Sequence, residues 1–319
     1  MAELADAPDF VCIATVYYRK KLNYQGDFMS TAYGKKIKVG NGSLNVYTEG
    51  NGTHTIVILS GAGVTSPVLE YRPLYQKLSD TYKIAVVEKS GYGMSESTGT
   101  ERTVQNMVNE SREALMGAGI KPPYILAPHS YSGFEAIYWA NTFPDEVTAV
   151  LSIDMGVPET AFEMEKALPP NKRTAMLQRT KKLYTKIQKK GFLAKLLKNF
   201  TVNTSGMLSS DYLNKDEKKL YDELFYKNLT NEEIFEENIM MTANAKSTAA
   251  TGHLKVPGFF YISNMKTPLK HGSWREFGIN YAKSIGAEYK LTDEGHLMYS
   301  KIPEQMATDF KDFLKNVIK

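Results

Sequence analysis

The sequence predicts an α/β protein with a mostly parallel central sheet, flanking helices and an inserted helical cap. Three observations support this fold class. Short apolar runs bounded by Gly, Ser or Pro recur along the chain, as buried parallel strands require. One of them passes directly into a turn and a helix over residues 124–140. A long charged stretch with helical character then precedes the last two strands, and 319 residues suffice for one large domain.

The chain divides into a leader, a core in two pieces and a cap. We predict a core of residues 36–157 and 255–319 with a helical cap at 158–254. Residues 1–35 are the leader, a candidate membrane-proximal or interfacial segment. Its apolar stretch at 10–18 is too short for a membrane-spanning helix, which needs about twenty residues. Acidic residues precede that stretch, the wrong charge for a secretory signal. We therefore expect a cytoplasmic protein; the alternative is membrane association through the N-terminal segment.

Two of the early predicted strands end in loops rich in small residues. The apolar run at 55–59 opens into Ser-Gly-Ala-Gly at 60–63. The run at 84–87 is followed by a glycine-rich turn that begins at Glu88. Small side chains allow a ligand to approach the backbone closely. The first loop is thus a candidate for backbone contacts with a substrate carbonyl.

A serine stands at the apex of the strand–turn–helix segment. Residues 124–133 read Tyr-Ile-Leu-Ala-Pro-His-Ser-Tyr-Ser-Gly. This pattern is typical of a nucleophile elbow, in which the turn exposes a hydroxyl and the helix N-terminus offers N–H groups to an oxyanion. Ser130 and Ser132 both lie near the apex. Alignment on His129 and Gly133 favours Ser130 as the nucleophile, because the other register places a large phenylalanine where a small residue is needed. A serine that merely caps a helix is the simpler alternative.

These segments, in this order and at this spacing, resemble the α/β-hydrolase family. The elbow is similar to the family's Gly-His-Ser pattern, with Pro128 in place of the glycine. The turn at Glu88 is similar to its Asp-x-x-Gly-x-Gly turn, and the loop at 60–63 resembles its oxyanion loop. The resemblance implies an acyl-transfer enzyme without a cofactor. It also implies an oxyanion hole formed by the backbone N–H groups of Ala62 and Tyr131.

The resemblance further implies a histidine and an acid that act with the serine. His296 is implied as the base, since it follows the last predicted strand in a Gly-His pair. The segment after strand seven, where the family most often places its acid, contains none. Asp154, at the end of predicted strand six, is therefore implied as the acid that orients His296. Asn264 as a neutral orienting group, or a Ser–His dyad without an acid, remains an alternative.

The function implied is a carboxylesterase-type serine hydrolase that acts on a small ester or amide through an acyl-enzyme. A proline-iminopeptidase-like aminopeptidase is an alternative within the family. It would need cap carboxylates for the substrate ammonium group, and Glu159, Glu163 and Glu165 are the candidates. A third hypothesis, of another class, is a non-catalytic ligand-binding protein on the same fold.

Composition and charge indicate which kinds of partner, disulfide and metal site the chain can have. Apolar content of 42% and charged content of 23% are ordinary for a globular protein, and a net charge of +4 indicates no nucleic-acid partner. Cys12 is the single cysteine, which excludes an internal disulfide and gives no cluster of metal ligands. Within the cap, residues 166–198 carry eleven Lys and Arg with no acid, whereas 211–237 carry nine acids against four lysines. These charges face each other or water; alternatively the basic stretch, amphipathic at 191–198, contacts an anionic substrate or lipid.

Overall fold

The computed structural model describes residues 32–189, 206–228 and 231–318 of the chain. Most of the predicted leader, with Cys12, and the predicted amphipathic stretch at 191–198 lie outside these residues. Among the described residues, no helix is both long and apolar enough to cross a membrane.

An eight-stranded sheet forms the centre of the described structure. Its strands are β1 (Lys35–Val39), β2 (Gly42–Glu49), β3 (Thr55–Leu59), β4 (Lys83–Val87), β5 (Tyr124–Ser130), β6 (Val147–Met155), β7 (Gly258–Ile262) and β8 (Glu288–Leu291). The spatial order is β1-β2-β4-β3-β5-β6-β7-β8. β2 pairs antiparallel with both β1 and β4, and the other pairings are parallel. The predicted fold class is confirmed.

Helices cover both faces of the sheet, as parallel strands require. They are α1 (Pro67–Glu70), α2 (Arg72–Tyr75), α3 (Val104–Gly117), α4 (Ser132–Thr142), α5 (Pro158–Ala167), α6 (Pro170–Lys189), α7 (Lys215–Asn228), α8 (Glu232–Ala249), α9 (Trp274–Ser284) and α10 (Pro303–Val317). The strands alternate between two cores. In β3, Val57 and Leu59 pack towards α3, α4 and α9, while Ile56 and Ile58 pack towards α1, α2 and α10.

Of the residues that the structure describes between β6 and β7, where the cap is predicted, four segments are helices, α5 to α8. Pro158 occupies the first position of α5, where its missing N–H costs nothing. The N-terminus of α8 is capped by Asn231, whose side chain accepts N–H groups of the first turn. In this part of the chain the two charge types do meet, since Lys181 of the basic helix α6 pairs with Glu232 of α8.

The topology brings the candidate residues to one edge of the sheet. The loop at 60–63 follows β3, Ser130 ends β5, and Asp154 is the penultimate residue of β6. The loop containing His296 follows β8. Because β3, β5, β6, β7 and β8 are parallel, all four positions lie at their carboxyl ends, where α/β folds bind ligands.

Candidate active site

Ser130 occupies a sharp turn between β5 and α4. Its φ of 56° lies in the left-handed region, which is costly for a serine and is typical of residues held in place for function. Gly133, the second residue of α4, packs so tightly that a Cβ there would lie 2.2 Å from the carbonyl oxygen of Gly156. The helix can therefore begin directly beneath the turn, and the Ser130 side chain remains partly exposed.

Ser132, the other serine of the turn, has a structural position. Its fully buried hydroxyl lies 2.7 Å from the carbonyl oxygen of Leu59 and 2.8 Å from that of His129. It also accepts the His129 N–H at 2.9 Å. A hydroxyl engaged in this way links β3 to the turn and has no access to substrate.

Asp154 is a second non-glycine residue with a left-handed backbone, at φ 55°. Its carboxylate is 1% exposed and has several hydrogen-bond donors around it. Oδ1 accepts the Ser263 N–H at 2.8 Å and the Trp274 Nε1–H at 2.9 Å, and Oδ2 accepts the Ser263 hydroxyl at 2.6 Å. These donors fix the carboxylate and compensate for the burial of its charge.

The structure brings Asp154 and His296 together. His296 Nδ1 lies 2.6 Å from Asp154 Oδ2, and the edge of the Trp274 ring packs on the imidazole. The His296 side chain is 21% exposed, so part of the ring remains accessible beside its buried partner. Asn264, the alternative orienting group, is exposed and donates to Asp293 Oδ1 at 3.2 Å. Within the described chain, no hydrogen bond joins the Ser130 hydroxyl to His296, a contact that is commonly loose without substrate.

The loop at 60–63 presents one free N–H between two that are occupied. The Gly61 N–H donates to the Tyr71 hydroxyl at 3.1 Å, and the Gly63 N–H donates to the Tyr92 hydroxyl at 3.0 Å. Among the described residues, neither the N–H of Ala62 nor that of Tyr131 has an acceptor. The two N–H groups implied for the oxyanion hole are therefore both available.

Solved structures and relatives agree with this architecture. A candidate lipase (Lip1) from Acinetobacter baumannii AYE superposes with a TM-score of 0.65 over 99% of both chains, at 14% identity. Its likeness and the strand order, with an antiparallel β2, decide the fold. The chain has the α/β-hydrolase fold. No family model matches the sequence.

Two sequence relatives of this chain come from bacteria. The uncharacterized protein YbdG of Bacillus subtilis is 28% identical over 95% of this chain and 91% of its own length. A 2-(acetamidomethylene)succinate hydrolase of Mesorhizobium japonicum is 27% identical over 120 residues, which are 38% of this chain and 42% of that one. The predicted resemblance to α/β-hydrolases is thus confirmed at the level of the fold.

His129 connects three loops of the structure, a role that the sequence did not predict. Its Nδ1 lies 2.8 Å from the Tyr71 hydroxyl, and its Nε2 lies 3.1 Å from the carbonyl oxygen of His296. Because a carbonyl only accepts, Nε2 carries the proton, and Tyr71 donates to Nδ1 while accepting the Gly61 N–H. Burial, and then the charge that His296 can carry, lower the pKa of His129 well below its ordinary value. A neutral ring suits these bonds.

A buried ionic cluster lies behind the oxyanion loop. Lys89 Nζ is 2.6 Å from Glu237 Oε1 and 2.5 Å from Glu135 Oε1. The contact with Glu135 is an ion pair without hydrogen-bond geometry among the described residues. Tyr92 donates to the other Glu237 oxygen at 2.5 Å. Burial alone would lower the pKa of Lys89, but Glu135 and Glu237 outweigh it and hold that pKa above its ordinary value. The cluster joins the elbow helix, the oxyanion loop and cap helix α8.

The described residues contain no group of three or more His, Cys, Asp or Glu side chains arranged to hold a metal ion. The site therefore consists of a serine at an elbow, a buried Asp–His pair and two available N–H groups. Sequence patterns suffice to find these residues because each belongs to a local motif. The members of the ionic cluster come from separate segments and carry no such signal.

Proposed function

We propose that this protein is a serine hydrolase that cleaves a carboxylic ester, or a small amide, through an acyl-enzyme intermediate. One observation carries the proposal. The buried Asp154 carboxylate lies 2.6 Å from His296 Nδ1, at the same sheet edge as Ser130, which stands at the apex of a strained elbow. A partly exposed serine, a buried aspartate and a histidine, in this order along the chain, are the parts of a catalytic triad.

Each residue has a defined part in the proposed reaction. His296 Nε2 removes the proton of the Ser130 hydroxyl as its oxygen attacks the substrate carbonyl. The negative oxygen of the tetrahedral intermediate binds to the N–H groups of Ala62 and Tyr131. His296 then gives the proton to the leaving alcohol or amine, and the carbon–heteroatom bond breaks. Asp154 holds the Nδ1–H tautomer and stabilises the transient imidazolium.

A water molecule completes the cycle. His296 Nε2 takes its proton while the hydroxide oxygen attacks the acyl-enzyme, and the same N–H groups receive the second oxyanion. Return of the proton to Ser130 releases the carboxylic acid. The serine at the apex argues against the branches of the fold that use a carboxylate nucleophile there. The name of the partial relative from Mesorhizobium japonicum supports hydrolysis as the reaction class.

The aminopeptidase alternative has weaker support from the cap acids. Glu163 pairs with Lys166, and the Glu165 carboxylate lies 3.6 Å from Lys246 Nζ. Glu159 lies near Tyr281 of α9, on whose hydroxyl its charge acts. Among the described residues, none of the three carboxylates forms a hydrogen bond or ion pair with the elbow. We therefore favour an ester or simple amide over a substrate held by its ammonium group.

The test is intact-protein mass spectrometry after treatment with a fluorophosphonate probe. The parent should gain one adduct, and Ser130→Ala should gain none. Ser132→Ala is the matched control, because it removes a neighbouring hydroxyl that is buried and structural; its folded fraction should still be labelled. Turnover of p-nitrophenyl acetate beside an aminoacyl-proline amide then separates esterase from aminopeptidase. A folded parent without an adduct contradicts the proposal and favours the non-catalytic ligand-binding hypothesis.

A further inference from the structure

Arg173 of cap helix α6 is buried without a carboxylate partner. Its side chain belongs to a residue that is only 6% exposed. Nη1 donates to the Thr242 hydroxyl at 3.3 Å, and Nη2 is buried with no partner among the described residues. Arg102, which is also buried, differs in this respect because it pairs with Glu110. Within the described chain, Arg173 is therefore a buried cation that has no carboxylate as an ion-pair partner.

The position of Arg173 places this charge on the cap side of the elbow. Its charge acts on the hydroxyl of Tyr131, the residue that follows Ser130. The same Tyr131 hydroxyl donates to Met164 Sδ of α5 at 3.0 Å. Thr242, which binds the guanidinium, belongs to α8, and α8 packs on both α5 and α6. Arg173 therefore lies where three cap helices pack together, and one of them, α5, contacts the residue that follows the proposed nucleophile.

The protein itself supplies little compensation for this charge. Burial lowers the pKa of Arg173, which indicates a cation that has lost its water. The charge of Glu165 acts on Arg173 in the opposite sense, but the Glu165 carboxylate lies 3.6 Å from Lys246 Nζ. A buried, unpaired charge is destabilising and is retained where a ligand supplies the counter-ion. The planar guanidinium, with one nitrogen free, matches the two oxygens of a carboxylate.

We propose that Arg173 is a specificity-determining residue that binds a carboxylate of the substrate, so that the enzyme acts on monoanionic esters or amides in preference to neutral ones. This inference rests on the proposed serine-hydrolase function. Half-esters of dicarboxylic acids, with the scissile carbonyl at one end and the carboxylate at the other, are the simplest members of this class.

The experiment compares monomethyl adipate with dimethyl adipate, which differ by one charge. The parent should show a higher kcat/KM for the half-ester. Arg173→Gln should lower that kcat/KM at least about tenfold, mainly through KM, and should leave the diester nearly unchanged. Arg173→Lys retains the positive charge but not the planar pair of N–H donors, so its kcat/KM for the half-ester should lie between those of the parent and Arg173→Gln. Equal effects of Arg173→Gln on both esters would overturn the inference.

A second measurement needs no cap variant. Adipate should protect Ser130 of the parent from the fluorophosphonate probe at concentrations at which neutral adipamide does not; equal protection by both would count against a carboxylate site. The two proposals fail separately. Labelling of Ser130 without any adipate preference leaves the serine hydrolase intact and overturns only the role of Arg173. If Ser130 is never labelled, the parent's melting temperature with adipate and adipamide tests the anion site by itself; equal shifts overturn it.

Discussion

Replacing Asp154 with asparagine should disable the base while leaving the fold intact. The Oδ1 position faces two pure donors, the Ser263 N–H and the Trp274 Nε1–H, so the amide oxygen must occupy it. The amide nitrogen then takes the Oδ2 position, 2.6 Å from His296 Nδ1. Its N–H donates to Nδ1, so the proton of the imidazole moves to Nε2. His296 in that tautomer cannot accept the Ser130 proton.

The size of the effect follows from this tautomer change. Wrong-tautomer substitution of a triad aspartate lowers kcat by about 10⁴ in serine proteases. This corresponds to roughly 5 kcal/mol in the activation free energy. We expect a loss of similar order for Asp154→Asn, because the carboxylate is 1% exposed and no water can replace it. The melting transition should change little, since the amide has the same shape and keeps both Oδ1 bonds.

The assay is the rate of fluorophosphonate labelling, followed by kcat with p-nitrophenyl acetate. Ser263→Ala serves as the control because it removes the hydroxyl donor to Oδ2 without changing the charge or the backbone N–H. It should slow labelling far less than Asp154→Asn. If folded Asp154→Asn is labelled as fast as Ser263→Ala, the acid role moves to a dyad or to Asn264.

Three further predictions concern the surroundings of the site. Gly61→Ala should slow labelling by about a hundredfold, since a Cβ would lie 2.8 Å from the Ser130 Cβ and 2.9 Å from His129 Nδ1; parent-like labelling would contradict this. Tyr71→Phe should destabilise the fold by about 1–3 kcal/mol in urea titration, because it leaves the Gly61 N–H and His129 Nδ1 unpaired; unchanged stability would argue against the connection. Burial raises the pKa of Glu70 from 4.5 to about 7. The folded state therefore holds this proton more tightly than the unfolded state, so Glu70 should cost about 3 kcal/mol of stability as the pH rises from about 5 to 8. In Glu70→Gln this part of the decline in unfolding free energy should be absent from urea titrations at pH 5 and 8. The same pH dependence in the variant and the parent would refute the prediction.

Local patterns predict the sheet and the candidate triad because the information is local. The strands are apolar runs, and Ser130 and His296 each stand in a short motif that the fold repeats. Asp154 could be inferred from its place at the end of a strand. The remaining connections depend on tertiary contacts. His129 has a partner in a different loop at each ring nitrogen, so its role could not be inferred from its neighbours in sequence.

The basic stretch of the cap illustrates the limit of charge patterns. Eleven cations in residues 166–198 indicate a solvated or partner-facing helix surface. Lys181 fits that interpretation, since it pairs with Glu232 near the surface. Arg173 lies in the same stretch but is buried within the cap. Helical periodicity alone cannot identify which member of a charged run turns inward, because the packing partner on α8 is distant in sequence.

The buried ion pair between Lys89 and Glu237 has a mechanical consequence. Swinging α8 away from the sheet would separate these charges and take Glu237 from the Tyr92 hydroxyl. Breaking a buried pair costs about 3 kcal/mol or more, which limits such an open form to less than about 1% of molecules. Asn244 of α8 adds two bonds to the backbone at Arg102 and Val104. These contacts hold α8 against the core, so we expect the entry of substrate and the release of product to need movement of other parts of the cap, such as α5 and α6.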